Sequence, residues 1–389
     1  MKRPKQWHFI LFLTMSGLFF SCQKDEPAIT GPEPPLDLAD YFDLDWQNLP
    51  NYANPDYPVH YTADVLENDN APSLNRVTDA GAALGRVLFF DKQLSRNNTV
   101  ACASCHRQEI GFTDDLTLSD GFEGGKTGAH SMRLANANFY AGERMFWDKR
   151  ALDLEDQSTM PIKDHTEMGF DDSVGGIDSL LRKMEQIEYY PVLFERAFGT
   201  ELITEERIQR ALAQYVRSMV STGSRFDEGY AQVFDPALPN NNLNVPFPNF
   251  SPQENNGKNL FLAPPPQGAG CAGCHQPPTF ALGPNSLSNG LDTGETTIFK
   301  SPSLKNVDIG GPYMHDGRFA TLEEVIEHYN SGVKPGPALD IRLTVPGPGG
   351  PQPQLLNLSD NEKAALAAFL RTLTDEQLLA DGKFADPFK

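Results

Sequence analysis

The sequence predicts a mainly α fold with long loops, arranged as two lobes in tandem. Three observations carry this. Apolar residues recur at helical spacing behind N-cap residues in both halves. No run of alternating apolar and polar residues reads as a strand. A Pro- and Asn-rich stretch at 235–252 separates two copies of one cysteine motif. The 389 residues are enough for two cores, and 31 Pro with 32 Gly favour irregular connections between modest helices.

Residues 1–22 read as an export signal. Lys2, Arg3 and Lys5 form a basic start, and Phe9 to Phe20 is an apolar run. That run is shorter than the roughly 20 residues a spanning helix needs. It ends at Phe19-Phe20-Ser21-Cys22, a small residue before a cysteine, which resembles a lipoprotein cleavage site with Cys22 as the lipidated residue. An ordinary secretory signal is the alternative. Gln23-Lys24-Asp25-Glu26 resembles the charged tag that routes some lipoproteins to the cell surface. The expected location is therefore a lipid-anchored protein exported by a Gram-negative bacterium, in the periplasm or on the outer membrane or cell surface. The lipid is the only membrane contact expected.

Residues 23–58 are rich in Pro, Asp and Asn without apolar periodicity and read as a tether and lead-in. The first lobe is expected at 59–234, a linker at 235–252 and the second lobe at 253–389. In the first lobe Ile208, Leu212, Tyr215 and Met219 share one helix face behind Thr204. In the second, Leu366, Phe369, Leu370 and Leu373 do so behind Ser359, with Glu362 completing a capping box. Thr321 and Glu324 open another helix, whose apolar face is Leu322, Val325, Ile326 and Tyr329. No short-period repeat is evident. The formal charge of -20 argues against non-specific nucleic-acid binding and leaves room for a small basic electron carrier as partner.

Five cysteines decide the chemistry. Cys22 belongs to export. The other four form Cys102-Ala103-Ser104-Cys105-His106 and Cys271-Ala272-Gly273-Cys274-His275. Two cysteines three positions apart can reach the two vinyl groups on one edge of a haem, and the next residue, histidine, can then bind iron from below. A zinc site would bring its cysteine pairs closer in sequence and would need neither histidine. A redox dithiol would need a βαβ setting, and structural disulfides leave the duplication unexplained. The motifs predict two covalently bound c-type haems with His106 and His275 as axial ligands. For the second iron, Met314 and Tyr329 are candidate sixth ligands; read alone, each is ordinary core packing.

Further motifs surround these. The first lobe carries Leu84-Gly85-Arg86, Leu88-Phe89-Phe90-Asp91, Gly111-Phe112-Thr113-Asp114, Phe146-Trp147-Asp148, Arg150-Ala151, Leu154-Glu155-Asp156-Gln157 and Glu167-Met168-Gly169. The second carries Pro302-Ser303-Leu304-Lys305-Asn306-Val307 and Tyr313-Met314-His315-Asp316-Gly317. Over residues 80–373 the chain resembles bacterial di-haem cytochrome c peroxidases and their MauG-type relatives.

The resemblance implies two cytochrome c-like haem domains in tandem, a peroxidatic haem on Cys102 and Cys105, and an electron-transfer haem on Cys271 and Cys274. It implies hydrogen peroxide as substrate, a small donor protein (a cytochrome c or a cupredoxin), and compatibility with a homodimer. Trp147 matches the tryptophan between the haems, Glu167 the distal acid-base and Gln157 a distal amide. Where peroxidases that need reductive activation carry a blocking histidine, Phe122 stands, which implies an open first iron. His130 replaces the family's asparagine and is a competing ligand candidate. That replacement removes a side chain of the family's calcium site, whose carbonyl contacts would fall at Gly310 and Pro312. At Tyr329 the resemblance favours MauG-type ligation over Met314. A MauG-like oxidase of a partner protein or small organic substrate, and a non-catalytic electron-transfer cytochrome, stay open as alternatives.

Overall fold

Side-chain caps set where the principal helices begin. Thr78, Thr204, Ser224, Ser251, Thr321 and Ser359 each accept a backbone N–H from the first helical turn, and each such cap is worth about 1 kcal/mol. The computed structural model describes Met1 and residues 36–142, 144–281 and 285–389. The expected signal beyond Met1, Cys22 and the tether up to residue 35 lie outside the described residues. Among the described residues the chain runs α1 (Ala63–Leu66), α2 (Asp79–Phe90), α3 (Cys102–Cys105), α4 (Leu154–Lys163), α5 (Gly176–Met184), α6 (Tyr189–Phe198), α7 (Glu205–Ser218), α8 (Arg225–Val233), α9 (Pro252–Leu262), α10 (Leu322–Glu327), α11 (Asp360–Arg371) and α12 (Glu376–Ala380). One antiparallel hairpin, β1 (Thr344–Gly347) with β2 (Gly350–Pro353), pairs Thr344 with Pro353. The protein is mainly helical, as expected. No helix among the described residues is long and apolar enough to cross a membrane.

Two hydrophobic cores form, each around one crossed helix pair. In the first, α2 lies on α7. The expected face Ile208, Leu212, Tyr215 and Met219 is buried there. Gly85 marks the crossing: a Cβ on it would fall 2.0 Å from the Ala211 carbonyl oxygen. In the second, α9 lies on α11, and Leu366, Phe369, Leu370 and Leu373 are buried. Gly257 plays the same part, with Ala365 O 1.9 Å from its notional Cβ.

The chain does not fill these cores strictly in sequence order. Leu38, Phe42, Leu44 and Tyr52, from the stretch read as tether and lead-in, belong to the first core. So do Leu378 and Phe384 from beyond α12's start, while Phe226 and Tyr230 of α8 belong to the second. The 36–58 segment lacks periodicity because it is irregular, and it packs through isolated apolar anchors.

Candidate functional site

The two Cys-x-x-Cys-His motifs fold alike. Burial keeps both histidines below the usual imidazole range, His275 at about 4. His106 Nδ1 faces the Phe112 carbonyl at 3.0 Å, and His275 Nδ1 faces the Pro302 carbonyl at 3.2 Å. A carbonyl only accepts, so Nδ1 carries the proton and the Nε2 lone pair is left for a metal. A serine steadies each ring. Ser131 Oγ lies 3.1 Å from His106 Nδ1 and donates to the Cys105 carbonyl. Ser301 Oγ lies 3.3 Å from His275 Nδ1 and donates to the Cys274 carbonyl. None of these four cysteines is in a disulfide, and burial pushes Cys102 and Cys271 up to about 12.

A largely apolar cavity of about 90 Å³ opens at Cys102, Cys105 and His106. Gln157 and Glu167, expected as distal residues, both line it, with Pro161 and Met168 between and beside them. Gln157 comes from the second turn of α4, which Asp153 caps through the Asp156 N–H. Glu167 follows the helix in a turn built on Asp164, whose carboxylate accepts from Thr166 N and Glu167 N at 2.7 and 3.0 Å. Burial, with Asp164 adding like charge, pushes the Glu167 carboxyl up to about 7. Phe122 N donates to Glu167 O at 3.0 Å, and its ring occupies the space a side chain on Gly169 would take.

Two further cavities, about 150 and 340 Å³, adjoin Cys271 and His275, and Tyr329 lines both. Their lining is mostly apolar, which suits the faces of a large planar cofactor. Burial raises the Tyr329 hydroxyl, and a hydrogen bond from Asn289 opposes that shift. Met314 is absent from the described lining of all three cavities; its sulfur instead accepts from Asn289 Nδ2 at 3.3 Å.

Trp147 lines both cavities of the second lobe and ties it to the first. Its indole N–H donates to the His130 carbonyl at 2.8 Å, and its own carbonyl accepts from Lys300 N at 2.7 Å. His130 precedes Ser131, and Lys300 precedes Ser301. One tryptophan is thus bonded to the neighbours of both histidine-holding serines. His315, which sequence reading did not single out, stacks on Phe299 at 4.0 Å and meets Trp147 edge-on at 6.5 Å. Lys300 is buried in the same wall, which draws it down to about 7.

These pairings expose a local repeat that the sequence concealed. Phe112 and Phe280 both take a left-handed backbone after their motifs, as do Asn136 and Asn306 after the serines. The bridge Met145–Ala151, enclosing Trp147, matches Tyr313–Phe319, enclosing His315. Asp148 pairs with Arg150 as Asp316 pairs with Arg318. A helix starts just after each bridge, α4 at Leu154 and α10 at Leu322; the same number of residues on, Pro161 lies within α4 and Tyr329 in the π-helical turn His328–Gly332 that follows α10. The first cavity therefore has a proline, with no side-chain atom able to bind a metal, where the second has a phenol.

Two expected sites are not formed. His130 lines the second-lobe cavity, and its ring nitrogens face Leu116 O at 2.9 Å and Thr113 Oγ1 at 3.3 Å, so it does not serve the first site. The calcium expected at Gly310 and Pro312 does not fit either. The Gly310 carbonyl already accepts from the Arg133 guanidinium.

The sequence model of the di-haem cytochrome c peroxidase family matches residues 79–233. The chain is 32% identical over 316 residues to the methylamine utilization protein MauG of Methylophilus methylotrophus, spanning 78% of this chain and 85% of that one. It is 30% identical over 313 residues to the cytochrome c551 peroxidase of Nitrosomonas europaea, spanning 76% and 80%. A crystal structure of a MauG-like protein associated with microbial copper homeostasis superposes with a TM-score of 0.64 at 27% identity, covering 87% of this chain and 98% of that chain.

Proposed function

The chain belongs to the di-haem cytochrome c peroxidase family, and on that premise we propose that it reduces hydrogen peroxide to two waters, using two protons and two electrons from a small donor protein. Cys102, Cys105 and His106 would hold the first haem, and Cys271, Cys274, His275 and Tyr329 the second. The haems would supply redox-active iron.

The protein's own groups handle the protons. Peroxide entering the first cavity gives a proton to the Glu167 carboxylate, which returns it to the departing oxygen so that it leaves as water. Gln157 donates a hydrogen bond that orients the bound oxygen. Pro161 leaves the substrate side clear. Trp147 joins the two halves of the site and is the proposed route for electrons. On the same reading the protein is exported and anchored through Cys22.

The meeting of Glu167, Gln157 and His106 in one cavity carries this reading. Glu167→Gln is expected to lower kcat/KM for peroxide by about 10²–10⁴ while leaving both haems attached. A variant that turns over peroxide like the parent ends the assignment.

A MauG-like oxidase is the second reading, and one observation favours it: Tyr329 rather than Met314 lines the cavities beside His275. A phenolate favours oxidised iron, whereas a thioether favours reduced iron. Tyr329→Phe should change the ferric absorption spectrum and Met314→Leu should not; the reverse pattern assigns the ligand to sulfur.

A further inference from the structure

Arg133 follows Ser131 in the first lobe and reaches into the second. Its guanidinium donates through Nη2 to the Gly310 carbonyl and through Nε to the Asn306 carbonyl at 3.3 Å, and it lies 5.7 Å from the centre of the Tyr313 ring. It lines the cavity shared by Trp147, His130 and His275. Among the described residues no carboxylate lies within ion-pair distance of it. Every group it touches is a carbonyl oxygen or a ring face, the partners a bare cation would also choose.

Calcium needs six to eight oxygen ligands, roughly 2.3–2.6 Å away. Here the Gly310 oxygen already faces a positive charge, and the neighbouring His130 offers nitrogens that are themselves engaged. A divalent ion at the same carbonyl would meet that charge at close range. We infer that Arg133 is the protein's built-in cation between the lobes, standing where a calcium ion would otherwise bind, so that the protein neither holds nor needs calcium. The guanidinium is permanently charged, covalently part of the first lobe, and forked so that it grips two carbonyls of the second. This holds whichever reaction the protein catalyses.

The test uses the purified haem-loaded protein, with calcium content by elemental analysis and melting curves in EDTA and in added calcium chloride. No stoichiometric calcium and the same melting temperature in both are expected, since an ion bound to the native state would stabilise it by linkage. Arg133→Gln should melt several degrees lower, and Arg133→Lys in between. One calcium per chain, or a parent protein that EDTA destabilises, overturns the inference; so does an Arg133→Gln variant that melts like the parent. Should that variant fail to fold, the parent measurements still decide.

Discussion

Glu167 shows how one residue's surroundings make its chemistry. Its carboxyl moves from an ordinary 4.5 to about 7, chiefly through burial, in the cavity that His106 also lines. Because the folded value is raised, the unfolded chain loses this proton first as pH rises from 4.5. Stability therefore falls across the window from 4.5 to 7, and the cost is full above it. Glu167→Gln should be more stable than the parent by about 3 kcal/mol at pH 8 and equal to it near pH 4. Denaturant titrations at both pH values check this. The same group predicts activity that rises through about pH 7, an inflection the glutamine variant should lose. Both Cys-x-x-Cys-His runs were legible from local spacing, whereas Gln157, Glu167 and Trp147 stood out only through the resemblance; the structure has them lining the cavities. Ser131, Ser301 and Arg133 were not legible. Their meaning lies in a partner far along the chain or across the lobe boundary, and small or charged side chains have no periodicity to betray that.

The helices supply a second test. At Gly85 and Gly257, backbone meets backbone across the crossed pairs α2–α7 and α9–α11. Alanine has better helix propensity by about 1 kcal/mol. Its methyl would lie within 2.0 Å of Ala211 O or 1.9 Å of Ala365 O, and overpacking of that kind costs about 1–3 kcal/mol or more. Steric cost should win, so Gly85→Ala and Gly257→Ala are expected to lower the urea midpoint. Gly382→Ala, with nothing within 4 Å of its notional Cβ, should not. The capped helices were readable because caps and apolar faces are short-range signals. The local repeat was not, since it survives mainly as backbone shape, such as the left-handed Phe112 and Phe280, and as a few scattered pairs like Asp148–Arg150 and Asp316–Arg318.

Across the whole molecule, chain segments far apart in sequence close the first core. Arg86 donates to the Ala385 and Gly382 carbonyls at 2.7 and 2.9 Å, Tyr52 to Lys383 O at 2.8 Å and Tyr215 to Phe384 O at 3.0 Å. Removing 381–389 leaves these buried donors unpaired, at about 1–3 kcal/mol each. Hydrogen exchange should then show α2 and α7 losing protection while α9 and α11 keep theirs; equal loss in both pairs contradicts two separately organised cores.

The larger claim is that the two haem sites differ, with Pro161 leaving one side of the first free and Tyr329 closing the second. Electron paramagnetic resonance of the ferric protein tests it most directly. One high-spin and one low-spin signal, the high-spin one vanishing on addition of peroxide, is the predicted result. Two low-spin signals indifferent to peroxide would make the protein an electron carrier and contradict the account.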